Sequence, residues 1–391
     1  MSSMSEKNTN VIDYLRWRGD LPLCRDPFNE VDALLLCAAS YIDFTSVTRL
    51  ASADPASAVS LEDALELVGE GGGQLGLSGF DYKPVLRQMS NCPRFEPVHV
   101  FAYENIHDEA QEMQFGALTF LLPDDTVFIA FMGTDQSMVG WKEDFNMSFL
   151  DAVPSQLRAT EYAARIAASC PGRELRLGGH SKGGNLAVWA AAKLPEDLQR
   201  RVCAVYNNDG PGFSGDLMKT EGYRRMAGRI LTLIPESSIV GVLMEHGDYE
   251  IIDSSYYAVM QHEALSWVVV GNRFVRQEKR TAVGQLSDNV LREWFASMTP
   301  EERKAFVDAL FDVLTKGGTI TSLKDLPSGL MGGATLLKSL VEAGEERRDS
   351  LAEGLHLLAE EVRGSLKKGA GDGLSSLKEA LRRLLKERAK T

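Results

Sequence analysis

Ser181 stands in the run Leu175-Arg176-Leu177-Gly178-Gly179-His180-Ser181-Lys182-Gly183-Gly184-Asn185-Leu186-Ala187. An alternating apolar stretch leads in, and an Ala-rich amphipathic stretch reaching Leu194 leads out, so the order reads as strand, sharp turn and helix. Glycines two positions to either side of the serine permit a strained turn that lifts the hydroxyl out of a sheet and over the start of the helix. The dipole there favours negative charge, and the unpaired backbone N–H groups can bind a developing oxyanion. Ser181 is thus a candidate nucleophile.

A serine hydroxyl attacks poorly until a base takes its proton, and the base needs an acceptor to hold its tautomer. After a serine of this type the acid and then the histidine follow in chain order. Of the six histidines, His99, His107 and His180 precede Ser181, which leaves His246, His262 and His356. His356 lies in an amphipathic helical stretch and reads as a surface or packing residue. His246 falls in the turn Met244-Glu245-His246-Gly247-Asp248, whereas His262, in Gln261-His262-Glu263-Ala264-Leu265-Ser266-Trp267, lies beyond the last short strand signal, the position favoured for the base. For the acid, Asp209 in Asn207-Asn208-Asp209-Gly210-Pro211-Gly212 follows a predicted strand, although these residues also make good turn chemistry. Glu236, in Ile234-Pro235-Glu236-Ser237-Ser238, is the competing acid, and Asp253 is a weaker third. The expected oxyanion donors are the N–H of Lys182, just after the serine, and that of Thr134, which ends Phe131-Met132-Gly133-Thr134.

Elements that could carry these groups are legible around them. Helical spacing marks residues 30–44 and 60–68, and glycines at 71–73 break the pattern. From Val98, two alternating β-rich runs flank Pro123-Asp124-Asp125 as a hairpin entering a core strand. A polar loop through Trp141, a helix near 156–169, a strand at 174–178, the helix after Ser181, and strands at 202–207, 229–234 and 249–253 come next. Strands alternating with helices predict a mostly parallel sheet with helices on both faces, and in such sheets ligands bind at the carboxyl ends of the strands. From Leu286 the strand signal disappears. Thr299, Pro300 and Glu302 mark a helix start with a capping box, and further helical pieces are predicted at 334–343, 349–363 and 374–390. The division expected is residues 1–285 as an α/β unit with a helical N-terminal cover, and 286–391 as a helical extension.

Composition bounds the function. A formal net charge of −13 argues against a general nucleic-acid binder, and an apolar fraction of 44% is ample for a core. Residues 1–19 lack the apolar core of a signal peptide and no stretch approaches the roughly 18 to 20 apolar residues that span a bilayer, so a soluble cytoplasmic protein is expected. Five scattered cysteines, Cys24, Cys37, Cys92, Cys170 and Cys203, with no CxxC pair, read as reduced buried thiols and not as a disulfide scaffold or a zinc site.

Three motifs in order resemble class 3, or fungal-type, lipases. Phe131-Met132-Gly133-Thr134, followed by Trp141 and Asp144, is similar to their oxyanion segment leading into the lid; Gly179-His180-Ser181-Lys182-Gly183-Gly184 resembles their serine turn; and residues 262–267 resemble the segment carrying their histidine. Asp13-Tyr14-Leu15, residues 27–32 and Asn208-Asp209-Gly210-Pro211-Gly212-Phe213 look like an uncharacterised bacterial branch of these hydrolases. The resemblance implies an α/β-hydrolase fold and a serine esterase needing no metal or organic cofactor, acting on small acyl-ester or lipid-like substrates through Ser181, Asp209 and His262. Three departures stand out. Ser237-Ser238-Ile239-Val240-Gly241 has serine where the family acid would stand, so either Glu236 substitutes or the acid moves one strand earlier, to Asp209, which is favoured. Lys182 replaces an apolar residue, its ammonium either attracting an acidic substrate group or pairing with a carboxylate. Met132 replaces an arginine. The segment 135–140 in the lid position is short, with Met138-Val139 as a modest apolar surface. The leucine stripe of 374–390, ringed by Lys and Arg, is expected to pack on protein in preference to an anionic membrane surface. The alternatives are a non-catalytic scaffold that binds a partner or membrane through the C-terminal helices, and a thioesterase or acyltransferase using the same residues.

Overall fold

The computed structural model describes residues 9–69, 80–214, 216–315, 321–322, 352, 354, 356 and 357. The N-terminal cover contains helices α1 (Val11–Arg18), α2 (Glu30–Ala39), α3 (Leu61–Val68) and α4 (Lys83–Ser90), with the short strand β1 (Val59–Ser60) just before α3. Asn10 with Asp13, and Asn29 with Asp32, close capping boxes that start the first two helices. α1 and α4, each of eight residues, are not among the elements expected from the sequence, and the helix expected over 30–44 stops at Ala39.

Next come β2 (His99–Asp108), β3 (Met113–Leu121) and β4 (Val127–Phe131), the last two joined through Pro123-Asp124-Asp125 as expected. After β4 the order is α5 (Met138–Asn146), α6 (Pro154–Ser169), β5 (Leu175–His180), α7 (Lys182–Lys193), α8 (Glu196–Gln199), β6 (Val202–Asn208), α9 (Glu221–Met226), β7 (Ile230–Pro235) and β8 (Glu250–Ile252). β9 (Val269–Val270) and β10 (Arg273–Phe274) form a small ribbon, and β11 (Arg276–Gln277) returns to the main sheet ahead of α10 (Ala282–Ala296) and α11 (Pro300–Thr315).

The main sheet runs β1-β2-β3-β4-β5-β6-β7-β8-β11. β4 to β8 pair in parallel, and the pairs beyond them at both ends are antiparallel. Period-two alternation splits the strand residues between two cores. Leu118, Phe120, Phe128 and Ala130 pack with the N-terminal helices on one face, while Ala117, Val127, Ile129 and Phe131 pack with α6 and α7 on the other. Both faces of the parallel strands are thereby buried, which is why β4 reads as an unbroken apolar run.

The segment expected as a polar loop through Trp141 turns helical from Met138. Ser137 caps α5 by accepting from Gly140 N–H, and Met138, Trp141 and Phe145 recur at helical spacing to meet Trp294 of α10, Phe306 and Phe311 of α11, and Met298 between the two helices in a third core. Met138 is buried there, so the Met138-Val139 pair is no exposed lid surface. Thr299 and Glu302 form the expected capping box. Residues 71–73, 334–343 and 374–390 lie outside the described residues, as does most of 349–363. No helix among the described residues is long and apolar enough to cross a membrane. All five cysteines are free thiols, but only Cys37 and Cys170 are buried as expected; Cys92 and Cys203 are half-buried and Cys24 is exposed.

One fully buried ion pair ties the N-terminal cover together. Arg94 meets Asp32 through Nε at 2.7 Å and Nη2 at 2.5 Å, and its remaining donors reach the carbonyls of Leu21, Asp26 and Pro27. Burial pushes the Asp32 carboxyl above its ordinary range even with this partner against it. Arg94→Leu is therefore expected to lower unfolding free energy by about 3–5 kcal/mol, because it strands a buried carboxylate. Urea denaturation checks this, and a loss under about 1 kcal/mol would contradict it.

Candidate active site

The candidate groups sit at the carboxyl ends of adjacent parallel strands. Thr134 follows β4, Ser181 follows β5, Asp209 follows β6, and Glu236 to Ser238 follow β7. His180 pairs with Asn208 in the register, Ser181 N–H donates to the Asn208 carbonyl at 3.0 Å, and Asp209 N–H donates to the Leu233 carbonyl at 2.8 Å. The sheet itself thus aligns the serine with the aspartate.

Ser181 has φ 59° and ψ −135°, a conformation rarely held by a residue with a side chain, at a cost on the order of 1–3 kcal/mol. Close packing of the backbone enforces it. A β-carbon on Gly183 would lie 2.1 Å from the Phe131 carbonyl oxygen, and one on Gly179 would lie 2.1 Å from the Gly183 carbonyl carbon. Only glycine lets the first turn of α7 press onto both β4 and β5, the role the paired glycines predict. The backbone N–H groups of Thr134 and Lys182 have no backbone acceptor among the described residues.

The two remaining candidates come together. His262 Nδ1 lies 2.6 Å from Asp209 Oδ2, with Asp209 fully buried and 18% of the His262 side chain exposed. Asp209 occupies that nitrogen, so Glu236 has no place at it. Ser238 Oγ donates to the same Asp209 oxygen at 2.7 Å. The turn holding Ser238 is clamped from the start of α10, where Arg280 donates to the Ser238 carbonyl and Thr281 Oγ1 lies 2.5 Å from Ser237 Oγ. The His262 ring stacks on His180 with centroids 4.6 Å apart and planes tilted by 31°. Ser181, next in the chain after His180, keeps its hydroxyl out of any hydrogen bond with the imidazole among those observed. His246 lies apart, in a cavity of about 360 Å³ with Tyr249, Asp288 and Phe295, and burial pushes its pKa down to about 4.

Lys182 resolves the choice its sequence position left open. Its buried ammonium spends three donors on Gln114 O at 2.8 Å, Gln114 Oε1 at 2.6 Å and Glu143 Oε2 at 3.0 Å. Glu143 is also fully buried and accepts from the N–H groups of Gln114 and Ser155. The lysine pairs with a carboxylate and bolts α7 to β3 and α5; it does not reach out to a substrate. Thr134 Oγ1 donates to Asp144 Oδ2, so its hydroxyl proton is directed at that carboxyl, which burial pushes up to about 6. Beside it, His107 Nε2 lies 2.5 Å from Asp135 Oδ2. None of these polar contacts carries a local sequence signal, because the partners lie between 10 and 68 residues apart.

Parallel strands β4 to β8 with helices on both faces, and polar groups at their carboxyl ends, define an α/β-hydrolase fold with C-terminal helices. The chain belongs to the Mbeg1-like family, whose profile matches residues 89–312. Among solved structures it is similar to Rhizomucor miehei lipase in its propeptide complex, at 15% identity and a TM-score of 0.34 over 44% of this chain and 70% of that one. A deletion mutant of that complex gives 14% and 0.38 over 60% and 77%, and M37 lipase gives 13% and 0.34 over 54% and 68%. Comparison with curated proteins finds no match. The fold assignment rests on this chain's strand order, not on these superpositions.

Lys182→Met keeps the backbone N–H but leaves Glu143 buried without its counter-charge, so a loss of about 3–5 kcal/mol is expected in urea denaturation. An unchanged midpoint would contradict the structural role. The Asp135 hydrogen bond raises the His107 pKa, outweighing the opposing effect of burial. The stability this pair contributes is complete below the ordinary histidine pKa of about 6.5 and is lost as pH rises through the raised value. An NMR titration of His107 with its midpoint above that of a free histidine, returning toward it in Asp135→Asn, is the expected result; a midpoint at or below about 6.5 would contradict it.

Proposed function

We propose that the protein is a serine hydrolase that cleaves carboxylic esters through an acyl-enzyme. The observation that carries the reading is the 2.6 Å contact between His262 Nδ1 and buried Asp209, with the imidazole stacked against the residue that precedes a backbone-strained serine. Strain of this size persists only where surrounding structure over-determines it, and such positions cluster at reactive sites.

Asp209 accepts a hydrogen bond from Nδ1–H of His262 and so leaves Nε2 as the base. Ser181 Oγ attacks the ester carbonyl while His262 Nε2 takes the hydroxyl proton, and Asp209 stabilises the imidazolium that results. Hydrogen bonds of this kind commonly tighten only when substrate is bound, which suits the open Ser181 hydroxyl. The oxyanion forms against the N–H groups of Thr134 and Lys182, each worth about 10²–10³-fold in turnover. Collapse expels the alcohol with the proton from His262, and water activated by the same imidazole releases the acid. The substrate class is a small acyl ester or a lipid-like ester. Residues 1–285 make the hydrolase unit in this reading, and 286–391 form an extension whose first helices cover α5.

Hydrolysis of p-nitrophenyl butyrate tests the proposal. Wild type is expected to turn over, Ser181→Ala to fall to background, and Asp209→Asn to lose about 10⁴-fold in kcat by fixing the wrong tautomer. Ser181→Ala retaining wild-type turnover would overturn it, and Glu236→Gln matching the loss of Asp209→Asn would overturn the choice of acid.

A further inference from the structure

His180 is buried between two partners that together dictate where its proton sits. Its Nε2 lies 2.7 Å from the carbonyl oxygen of His262, which can only accept, so Nε2 must carry the proton. Its Nδ1 lies 3.1 Å from the Tyr41 hydroxyl, which is also 3.3 Å from the His180 carbonyl. A hydroxyl has one proton to donate. With His180 neutral, Nδ1 is a bare acceptor and takes it; only a charged His180 would turn it to the carbonyl. Burial first, and the neighbouring His262 second, hold the His180 pKa well below the usual histidine range, so the neutral Nε2–H form is the one present. A neutral ring is also the one that can lie 4.6 Å from a neighbouring imidazole that becomes charged, since a second cation there would oppose it.

Tyr41 has a companion. Its ring stacks on Tyr82 with centroids 5.7 Å apart and planes 22° off parallel. The Tyr82 hydroxyl donates to Glu263 Oε1 at 2.8 Å, on the residue immediately after His262. Both tyrosines are buried and both precede residue 89, where the family match begins. The turn bearing His262 is therefore held at its carbonyl by His180, which is itself bonded to Tyr41, and at the next side chain by Tyr82, both tyrosines issuing from the N-terminal cover.

We propose that Tyr41 and Tyr82 are positioning residues for His262: the Tyr41 hydroxyl fixes the His180 tautomer that holds the His262 carbonyl, and the Tyr82 hydroxyl holds Glu263 beside it. The N-terminal cover is on this account part of the reactive machinery and more than a lid on one face of the sheet. The inference rests on His262 being the general base.

Tyr41→Phe and Tyr82→Phe, made separately in the full chain, test it with two readouts. The kcat for p-nitrophenyl butyrate is expected to fall about tenfold in each with KM within about twofold, as displacement of a reacting group predicts. The low-field proton resonance of the Asp209–His262 hydrogen bond is expected to be sharp in wild type and to broaden or move upfield in both variants. Tyr162→Phe removes an equally buried hydroxyl, one bonded to Thr119 and the Ala102 carbonyl, and is expected to leave both readouts unchanged. If Tyr41→Phe fails to fold, Tyr82→Phe carries the same two readouts. Turnover within about twofold of wild type and an unmoved resonance in the tyrosine variants would overturn the proposal. A wild type inert toward esters would instead overturn the hydrolase reading, and the resonance would then decide alone whether the tyrosines fix His262.

Discussion

Three backbone segments meet at the start of α7 with no room for a side chain between them. The Phe131 carbonyl approaches Gly183 closely enough to exclude a β-carbon, the Ser181 N–H is bound to the Asn208 carbonyl, and Ser181 is held at positive φ as a consequence. Ser181 and its neighbours inherit their positions from this contact. Thr134 lies three residues beyond Phe131 and Asp209 one residue beyond Asn208. A substitution that added one methyl group at Gly183 would have to separate β4 from α7, and with them the groups they carry.

Around that contact the protein uses buried polar groups as fasteners. Lys182 and Glu143 lock the first turn of α7 to β3 and α5, while Ser238 and Arg280 hold Asp209 from the side of α10. Lys182 and Glu143 are each satisfied by several partners, the condition under which buried charge gives a defined geometry and not merely a desolvation cost. The arrangement also links regions distant in sequence: the N-terminal cover reaches the histidine turn through Tyr82 directly and through Tyr41 by way of His180, and α10 reaches Asp209 through the turn after β7. The parallel core of the sheet is thus clasped by elements from both ends of the described chain.

Local patterns carried much of this into the sequence. Strand alternation, the Pro-Asp-Asp turn and the Thr299 capping box made the order of elements legible, and glycine spacing singled out Ser181. Chain order then pointed to Asp209 and His262, which the fold brings to 2.6 Å. What local pattern could not carry was the partner of each polar side chain. Lys182 reads alike whether it faces substrate or Glu143, because the deciding residue is 39 positions away. Tyr41 and His180 are 139 positions apart, so nothing near either announces the other. The α5 helix was hidden because its apolar residues are few and its partners lie in α10 and α11, far along the chain.

The central claim is that Ser181 is a nucleophile activated by its surroundings, and covalent capture tests it without any assumption about substrate. Native protein treated with a fluorophosphonate and digested for peptide mass mapping should show one adduct per chain, on Ser181, with labelling strongly slowed in His262→Ala. A folded wild type that takes no label, or takes it on a different serine, would contradict the account.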